Sequence, residues 1–199
     1  CRDVQIAFAN ELSIICDKLD IDVWELISLA NRHPRINILQ PGPGVGGHCI
    51  AVDPWFIVSK TPEQAQMIHT ARKVNDAKPQ WVINKVKLAI ADFLQANPTK
   101  TTKDVTVACY GLAFKPDIDD LRESPALNIT KKIAALHSGS VIAIEPNINK
   151  LPSSISSFNL STFENAKENA DVHLLLVDHK EFKNQAIKSE YLIDTKGIW

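Results

Sequence analysis

The chain has 199 residues, a formal net charge of −1 at pH 7 and a sequence pI near 6.6. Its hydrophobic content of 45% and charged content of 23% are typical of a soluble protein with one or two globular cores. Lysine and arginine are scattered, so we expect neither a nucleic acid nor an anionic membrane as a partner. No apolar run reaches the roughly 18 residues that cross a bilayer, and no basic-then-apolar signal segment opens the chain. These features predict a cytoplasmic protein with no membrane insertion.

An apolar stripe of helical spacing begins the chain. It belongs to a helix that is already under way at Cys1, so we expect this chain to be the C-terminal part of a longer protein. Surplus apolar surface on a small helical domain is typical of a dimerisation platform, which predicts a homodimer. The residues of the stripe are Val4, Phe8, Leu12, Ile15 and Leu19.

Further helices are predicted up to residue 97. Asp22, an N-cap with Glu25 three residues later, predicts a second helix. The segment 61–63 (TPE) predicts the start of another, and Pro79 is expected to mark the boundary of the last one. The first domain, residues 1–97, is therefore expected to be helical.

A glycine-rich run precedes one cysteine within this domain. Four of the seven glycines lie between Gly42 and Gly47, and Cys49 follows two residues later. Glycine allows positive φ and close approach of a ligand to backbone N–H groups, so the run beside a thiol indicates a substrate loop with a nucleophile. We predict this loop over residues 34–60. The alternative is an ordinary glycine-rich surface turn with an inert cysteine.

The same run has the letter pattern G-x-G-x-x-G, but we do not interpret it as a dinucleotide-binding turn. That turn needs a buried strand before it and a helix directly after it. The lead-in at 36–41 is short and ends in proline, Pro43 removes an amide, and Pro54 interrupts the segment after the run. No other segment of the chain has the fingerprint.

The cysteines indicate neither a metal site nor a disulfide framework. Cys1, Cys16, Cys49 and Cys109 are widely spaced, with no C-x-x-C pair and no histidine ligand set. Only Cys49 has a loop context that would expose a thiol. A cysteine hydrolase is disfavoured because no histidine stands in the context of a base with an orienting carboxylate.

The second half of the chain, residues 104–199, predicts an α/β domain. After the polar linker 97–103, apolar β-branched runs alternate with helices, as in a doubly wound, Rossmann-like parallel sheet. Ligands of such sheets bind outside the carboxyl ends of the strands. Strands are predicted at 105–110, 141–144, 172–177 and 191–194, and helices at 125–136 and 162–170.

Two basic residues follow the first of these strands. Lys115 and Arg122 are expected near the start of a helix that Ser124 caps, which is a favourable place for a phosphate. The alternative is that both only pair with neighbouring acidic residues on the surface.

Three separated segments together resemble one family of enzymes. RDVQIAFANE at 2–11, PGPGVGGHCIAVDP at 41–54 and GLAFKPDIDDLRESP at 111–125 are similar to the nucleotide-sugar 6-dehydrogenases of the UDP-glucose/GDP-mannose dehydrogenase family. Two more, NRHPRINILQP at 31–41 and VDPWFIV at 52–58, indicate one branch of it. The resemblance implies an N-terminal NAD-binding domain, a central helical dimerisation domain and a C-terminal UDP-sugar-binding domain. This chain corresponds to the last two.

The resemblance also implies the chemistry. Such enzymes oxidise the C6 alcohol of the sugar to a carboxylate with two NAD+, here for bacterial surface polysaccharide synthesis. Cys49 would attack the C6 aldehyde to give a thiohemiacetal, and hydride loss would give a thioester that water hydrolyses. Asp53 would position or activate the water. Gly44, Gly46 and Gly47 would line the substrate.

Three cationic residues complete the implied site. Lys115 would reach the UDP-sugar, Arg122 the pyrophosphate of NAD, and Arg35 the substrate of the neighbouring subunit across the dimer. Two alternatives stay open: a non-catalytic UDP-sugar-binding fragment, and a related dehydrogenase that acts on another UDP-sugar.

Overall fold

The computed structural model describes residues 1–199, and its chain forms two compact units. The first is Cys1–Pro79 and the second is Gln80–Trp199. The boundary lies inside a long helix, whereas the sequence indicated a division in the linker near residue 97. No helix is both long and apolar enough to cross a membrane.

The first unit is helical, as expected. The carboxylate of Asp22 accepts hydrogen bonds from the backbone N–H groups of Trp24 (2.7 Å) and Glu25 (3.1 Å), which confirms the N-cap. The helices are α1 (Arg2–Lys18), α2 (Val23–Ala30), α3 (Cys49–Lys60) and the first part of α4 (Gln66–Ala96).

Helix α3 corrects the predicted loop 34–60, because the chain becomes helical at Cys49. Pro54 lies inside this helix and lacks the N–H that would bond the Ile50 carbonyl. The Ile50 oxygen instead lies 3.5 Å from Nη1 of Arg72. A single proline removes one helical hydrogen bond, and here the Arg72 side chain from α4 approaches the Ile50 carbonyl, which has lost its helical partner.

Helix α4 corrects a second expectation. It runs without a break from Gln66 to Ala96, so Pro79 is no boundary between helices, and the turn at 61–63 does not itself begin one. Residues before Pro79 bond to α1 of the first unit, while Val82 and Val86 beyond it are buried in the core of the second. Packing on both sides of the proline stabilises one continuous helix.

The second unit contains the predicted doubly wound sheet. All four strand pairs are parallel, in the order β3-β2-β1-β4-β5. Helix α5 begins at Pro125 and ends at Leu136, as predicted. The short strand β3 and helix α7 were not predicted. The elements are β1 (Thr106–Tyr110), α5 (Pro125–Leu136), β2 (Ser140–Ile144), β3 (Asn159–Leu160), α6 (Phe163–Asn169), β4 (Val172–Leu175), α7 (Lys180–Lys183) and β5 (Leu192–Asp194), with a short 3-10 helix at Thr102–Asp104.

Alternate residues of the central strand β1 enter two separate cores. Val107 and Cys109 join the cluster formed with α5 and the end of α4, while Ala108 and Tyr110 join the one formed with α6 and α7. Both faces of the sheet are therefore covered within the unit, which explains why its strands are apolar almost throughout.

The apolar stripe of α1 does not face into the first unit. Phe8, Ile15 and Leu19 are 53%, 45% and 61% exposed. The face of α1 that is buried carries small and polar side chains instead: Asp3, Ala7, Ala9, Asn10, Ser13 and Cys16.

Candidate functional site

The glycine run lies in an irregular segment between α2 and α3. Gly44 and Gly47 have positive φ values of 154° and 78°, a region that favours glycine. Pro41 and Pro43, which flank Gly42, are buried. No strand precedes the run, so the structure supports rejecting a dinucleotide-binding turn, although a helix does open two residues after Gly47.

Cys49 is the first residue of α3 and is exposed. Asp53 lies one helical turn further along and is also exposed. The thiol, the carboxylate and the run of glycine amides therefore come together within a dozen residues of one unit. This arrangement offers a nucleophile, an acid–base group and backbone donors to a bound substrate.

Arg35 lies in the turn that follows α2. Its side chain is exposed, and its backbone N–H donates to Nδ1 of His33 over 3.3 Å. The segment after it is clamped by Asn31, whose side-chain amide exchanges two hydrogen bonds with the backbone of Ile38 (2.7 and 2.9 Å). Arg35 lies seven residues before the glycine run, and its side chain is exposed to solvent.

In the second unit, the loop after β1 begins at Gly111. Its φ is +90°, and a Cβ there would lie 2.4 Å from Cβ of Val177. Only glycine allows the chain to leave β1 so close to the segment that follows β4. The close approach places this loop at the carboxyl edge of the sheet, where doubly wound proteins bind ligands.

The two predicted cations of this loop differ in their surroundings. Lys115 is exposed, with Nζ 5.7 Å from the ring centroid of Phe114, and is not paired with a carboxylate. Arg122, with its side chain 89% exposed, makes hydrogen bonds to both carboxylate oxygens of Asp120, the shortest being 2.6 Å. These hydrogen bonds lower the pKa of Asp120 to about 2. For Arg122 the surface-pairing alternative therefore holds in this structure.

A buried cluster that the sequence analysis missed lies at the same edge. Oε2 of Glu145 accepts hydrogen bonds from the N–H groups of Leu112 (2.7 Å) and Ala113 (3.1 Å) and from Nε2 of His179 (3.1 Å). Burial raises the pKa of Glu145, but the hydrogen bonds from His179 and the Leu112 amide outweigh it and leave the pKa lowered. Nδ1 of His179 accepts the Asp117 N–H (2.9 Å), so Nε2 is the nitrogen that donates to Glu145.

This cluster determines which backbone amides at the end of β1 are available to a ligand. The amides of Leu112 and Ala113, which would meet a pyrophosphate in a dinucleotide-binding turn, are occupied by an internal carboxylate. The residues present therefore do not fit a pyrophosphate at the end of β1. A signal for the cluster existed, since Glu145 directly follows an apolar strand.

His179 also approaches two other carboxylates. Asp117, His179 and Glu181 each bring one possible ligand atom within 4.8 Å of the others. Nδ1 of His179 already accepts the Asp117 amide, and Oδ1 of Asp117 accepts the Lys180 amide over 2.9 Å. Nδ1 of His179 and Oδ1 of Asp117 therefore accept backbone hydrogen bonds that stabilise the loop.

The fold and these two loops define the class of the protein. Residues 1–77 match the central domain of the UDP-glucose/GDP-mannose dehydrogenase family, and residues 108–199 match its UDP binding domain. The chain belongs to this family of nucleotide-sugar dehydrogenases.

Individual relatives indicate the branch. The chain is 59% identical to the UDP-N-acetyl-D-mannosamine dehydrogenase of Yersinia pestis, in an alignment that covers 100% of this chain and 48% of that protein. It is 54% identical to a protein of Ralstonia solanacearum named NDP-N-acetyl-D-galactosaminuronic acid dehydrogenase, with 100% and 45% covered. A solved UDP-N-acetyl-mannosamine dehydrogenase from S. aureus has a TM-score of 0.77 at 38% identity, over 99% of this chain and 45% of that one.

The chain thus spans about half the length of the curated relatives that it matches. The segments 31–41 and 52–58, which indicate one branch of the family, lie within the alignment to the Yersinia pestis protein.

Proposed function

We propose that the protein is an NAD-dependent dehydrogenase that oxidises the C6 alcohol of UDP-N-acetyl-D-mannosamine to the carboxylate. The observation that carries this proposal is the exposed thiol of Cys49 directly after a glycine run with positive φ angles. The names of the relatives support the substrate class. A cytoplasmic location and a role in surface polysaccharide synthesis stay predictions.

Cys49 performs the covalent chemistry in this proposal. Its sulfur adds to the C6 aldehyde, and the aldehyde oxygen takes up a proton, which gives a thiohemiacetal. Loss of hydride from C6 and of the hydroxyl proton leaves a thioester. Water then attacks the carbonyl carbon, with Asp53 orienting it or taking its proton, and the C–S bond breaks to release carboxylate and thiol. The N–H groups of Gly44, Gly46 and Gly47 face the substrate while the thiol reacts.

The second unit is proposed to hold the nucleotide. Lys115 is an exposed cation at the carboxyl edge of the sheet, makes no salt bridge although its charge helps to lower the pKa of Asp120, and would contact the diphosphate of the UDP-sugar. NAD, when bound, supplies the hydride acceptor for each of the two oxidations. Arg122 would face its pyrophosphate, provided that Asp120 releases the guanidinium.

The first unit is proposed to form a homodimer. Its exposed apolar stripe on α1 supports this, and Arg35 would then reach the substrate of the other subunit. Mixing Arg35→Ala subunits with Cys49→Ser subunits should restore one working site per heterodimer. The trans role of Arg35 is excluded if the mixture regains no activity although heterodimers form.

The decisive test of the proposed function is Cys49→Ser in the complete gene product, with Cys1→Ser as a control at a cysteine outside the loop. A serine ester hydrolyses slowly, so we expect carboxylate formation to fall by roughly a thousandfold or more while aldehyde formation persists. Mass spectrometry should detect free aldehyde or an acyl-enzyme. Unchanged carboxylate production in Cys49→Ser removes Cys49 from the mechanism.

The relative from Ralstonia solanacearum supports a second candidate, a UDP-sugar with another configuration. Comparing kcat/KM for the N-acetylmannosamine and N-acetylgalactosamine nucleotides decides between the two.

Residues 1–199 alone are expected to bind UDP weakly, which calorimetric titration should detect. An activity assay with NAD+ and the UDP-sugar should show no turnover. Tight NAD+ binding by this chain alone contradicts the assignment of the cofactor to another domain.

A further inference from the structure

We propose that Asn10 is a positioning residue for the glycine run, and that Asn75 and Asp3 fix the orientation of its side-chain amide. The consequence for catalysis rests on the proposed function of Cys49. The positioning itself rests only on contacts within the first unit.

The three residues form a buried chain of hydrogen bonds between α1 and α4. Asn10, Asn75 and Asp3 are only 0%, 1% and 5% exposed. Nδ2 of Asn75 donates to Oδ1 of Asp3 over 2.8 Å, and Nδ2 of Asn10 donates to Oδ1 of Asn75 over 2.9 Å. Oδ1 of Asn10 then accepts the backbone N–H of Gly42 over 2.9 Å.

The direction of this chain follows from the chemistry of its first member. An ionised carboxylate only accepts hydrogen bonds, so Asn75 must turn its NH2 group toward Asp3 and its carbonyl oxygen toward Asn10. Asn10 must therefore direct its own NH2 group to Asn75 and its oxygen to Gly42. The charge of Asp3 thus selects an acceptor, and not a donor, at the start of the glycine run.

Arg72 makes a second connection at the far end of the segment. It is 2% exposed and pairs with Asp3, with Nη1 2.6 Å from Oδ1, and also with Asp76. Nη1 lies 3.5 Å from the Ile50 carbonyl, which Pro54 deprives of its helical partner. Asp3 is therefore connected to both ends of the segment 42–50, to Gly42 through the two asparagines and to Ile50 through Arg72.

This segment contains the thiol and the glycine amides of the proposal above, while Asp53 lies just beyond it on α3. A backbone shift at Gly42 moves the amides of Gly44 to Gly47 and the thiol of Cys49 together. Displacements of about 1 Å in an active site cost up to a hundredfold in rate. Two buried anchors from α1 and α4 are the means by which this unit keeps a glycine-rich segment in one conformation.

The test compares Asn10→Leu with Asn10→Asp in the complete gene product. Leucine removes the acceptor for Gly42, whereas aspartate keeps this acceptor and loses only the NH2 group that donates to Asn75. Cys16→Ala is the matched control, because Cys16 is also buried on α1 but has no part in the hydrogen-bond chain from Asp3 to Gly42. Asp3→Asn provides a second route if Asn10→Leu does not fold, since it removes the charge that orients the chain.

Hydrogen exchange measures the proposed bond directly. Pro41 and Pro43 flank Gly42 and have no amides, so peptides across this segment report few sites besides Gly42. We expect the Gly42 amide to exchange about tenfold faster in Asn10→Leu and in Asp3→Asn, and near the wild-type rate in Asn10→Asp and Cys16→Ala.

Two further measurements connect the bond to the site. The rate of Cys49 alkylation by iodoacetamide should change in Asn10→Leu but not in Cys16→Ala. The kcat for carboxylate formation should fall about tenfold or more with KM for the UDP-sugar changed less, and Asn10→Asp should recover most of it.

Unchanged Gly42 exchange in both Asn10→Leu and Asp3→Asn overturns the proposal. Equal acceleration in Cys16→Ala also overturns it, because the effect would then be general destabilisation. If Gly42 exchange responds as expected while Cys49→Ser keeps full activity, the positioning stands and the proposed function of Cys49 fails.

Discussion

The two units of this chain differ in how much polar and how much apolar material their elements bury between them. In the first, α1 and α4 meet through charged and amide groups, namely Asp3, Asn10, Ser13, Arg72, Asn75 and Lys78. In the second, two apolar clusters cover both faces of a parallel sheet, and the buried polar residues Glu145 and His179 lie at the strand ends.

On the surface the contrast is reversed, because the first unit exposes more large hydrophobic side chains than the second. Of the twelve large hydrophobic residues that are exposed, ten belong to the first unit, and only Leu88 and Leu136 to the second. The second unit therefore completes its own core, while the first uses directional hydrogen bonds internally and leaves apolar surface exposed. We therefore expect the apolar clusters of the second unit to contribute most to stability, and the polar interior of the first to position its loops.

The largest expected effect is in the second unit. Phe182→Ala removes a ring that is 1% exposed and lies within 6.1 Å of Tyr110, Phe163, His179 and Trp199, measured between ring centroids. We expect a loss of about 4 kcal/mol in the free energy of unfolding, measured with urea. Lys183→Ala on the same short helix is the control and should change it by less than about 0.5 kcal/mol. A small effect of Phe182→Ala contradicts a self-sufficient apolar core.

Glu145→Gln tests the polar cluster at the strand ends. Glutamine cannot accept all the hydrogen bonds that Glu145 accepts, so we expect a loss of about 3 kcal/mol at pH 7. The folded pKa of Glu145 is lowered, so its contribution is present above the unfolded pKa and is lost as pH falls through the folded value. Urea unfolding of both proteins should therefore converge on acidification. A constant difference at all pH values contradicts ionisation of Glu145.

Lys78→Met tests the cost of charge in the first unit. Burial lowers the pKa of Lys78 to about 8, against an attraction to Asp17 that raises it. Between pH 8 and 10.5 the unfolded chain holds a proton that the folded chain has lost, so Lys78 makes stability rise with pH in this window. We expect Lys78→Met to be more stable by about 2 kcal/mol at pH 7. Its advantage should shrink from pH 8 to 10.5, and an advantage independent of pH would exclude this explanation.

The smallest effect on unfolding is expected at the exposed stripe. Phe8→Ser should change the free energy of unfolding of the monomer by less than about 0.5 kcal/mol, because the ring is 53% exposed. The proposed dimer should nevertheless weaken by tenfold or more in sedimentation experiments. Leu88→Ser, 58% exposed in the second unit, is the control and should leave the dimer intact. Equal effects of the two changes contradict the assignment of the dimer surface to the first unit.

Much of the second unit was predictable because its signals are local. Ser124 caps α5 through the Leu127 N–H at 3.2 Å, and Pro125 occupies the first helical position, so a few adjacent residues determine where that helix begins. Strand β1 begins one residue later than predicted. The strand β3 was missed because two residues carry no periodicity.

The candidate site was predictable in part. Motif and resemblance identified Cys49, Asp53, Lys115 and Arg122 as residues of interest, since their types and order are visible along the chain. The pairing of Arg122 with Asp120 was foreseen only as an alternative. The roles of these residues stay proposals, and the experiments above test them.

By itself, the sequence determined the alternation of helices and strands, the caps at Asp22 and Ser124, and the family. These depend on hydrogen bonds and periodicities that span a few residues. Only the tertiary structure decided that α3 and α4 continue through their prolines, because packing against distant elements offsets one missing N–H. It also decided the pairs Asn10–Asn75 and Glu145–His179, which lie 65 and 34 residues apart and whose hydrogen bonds depend on how the backbone folds between them.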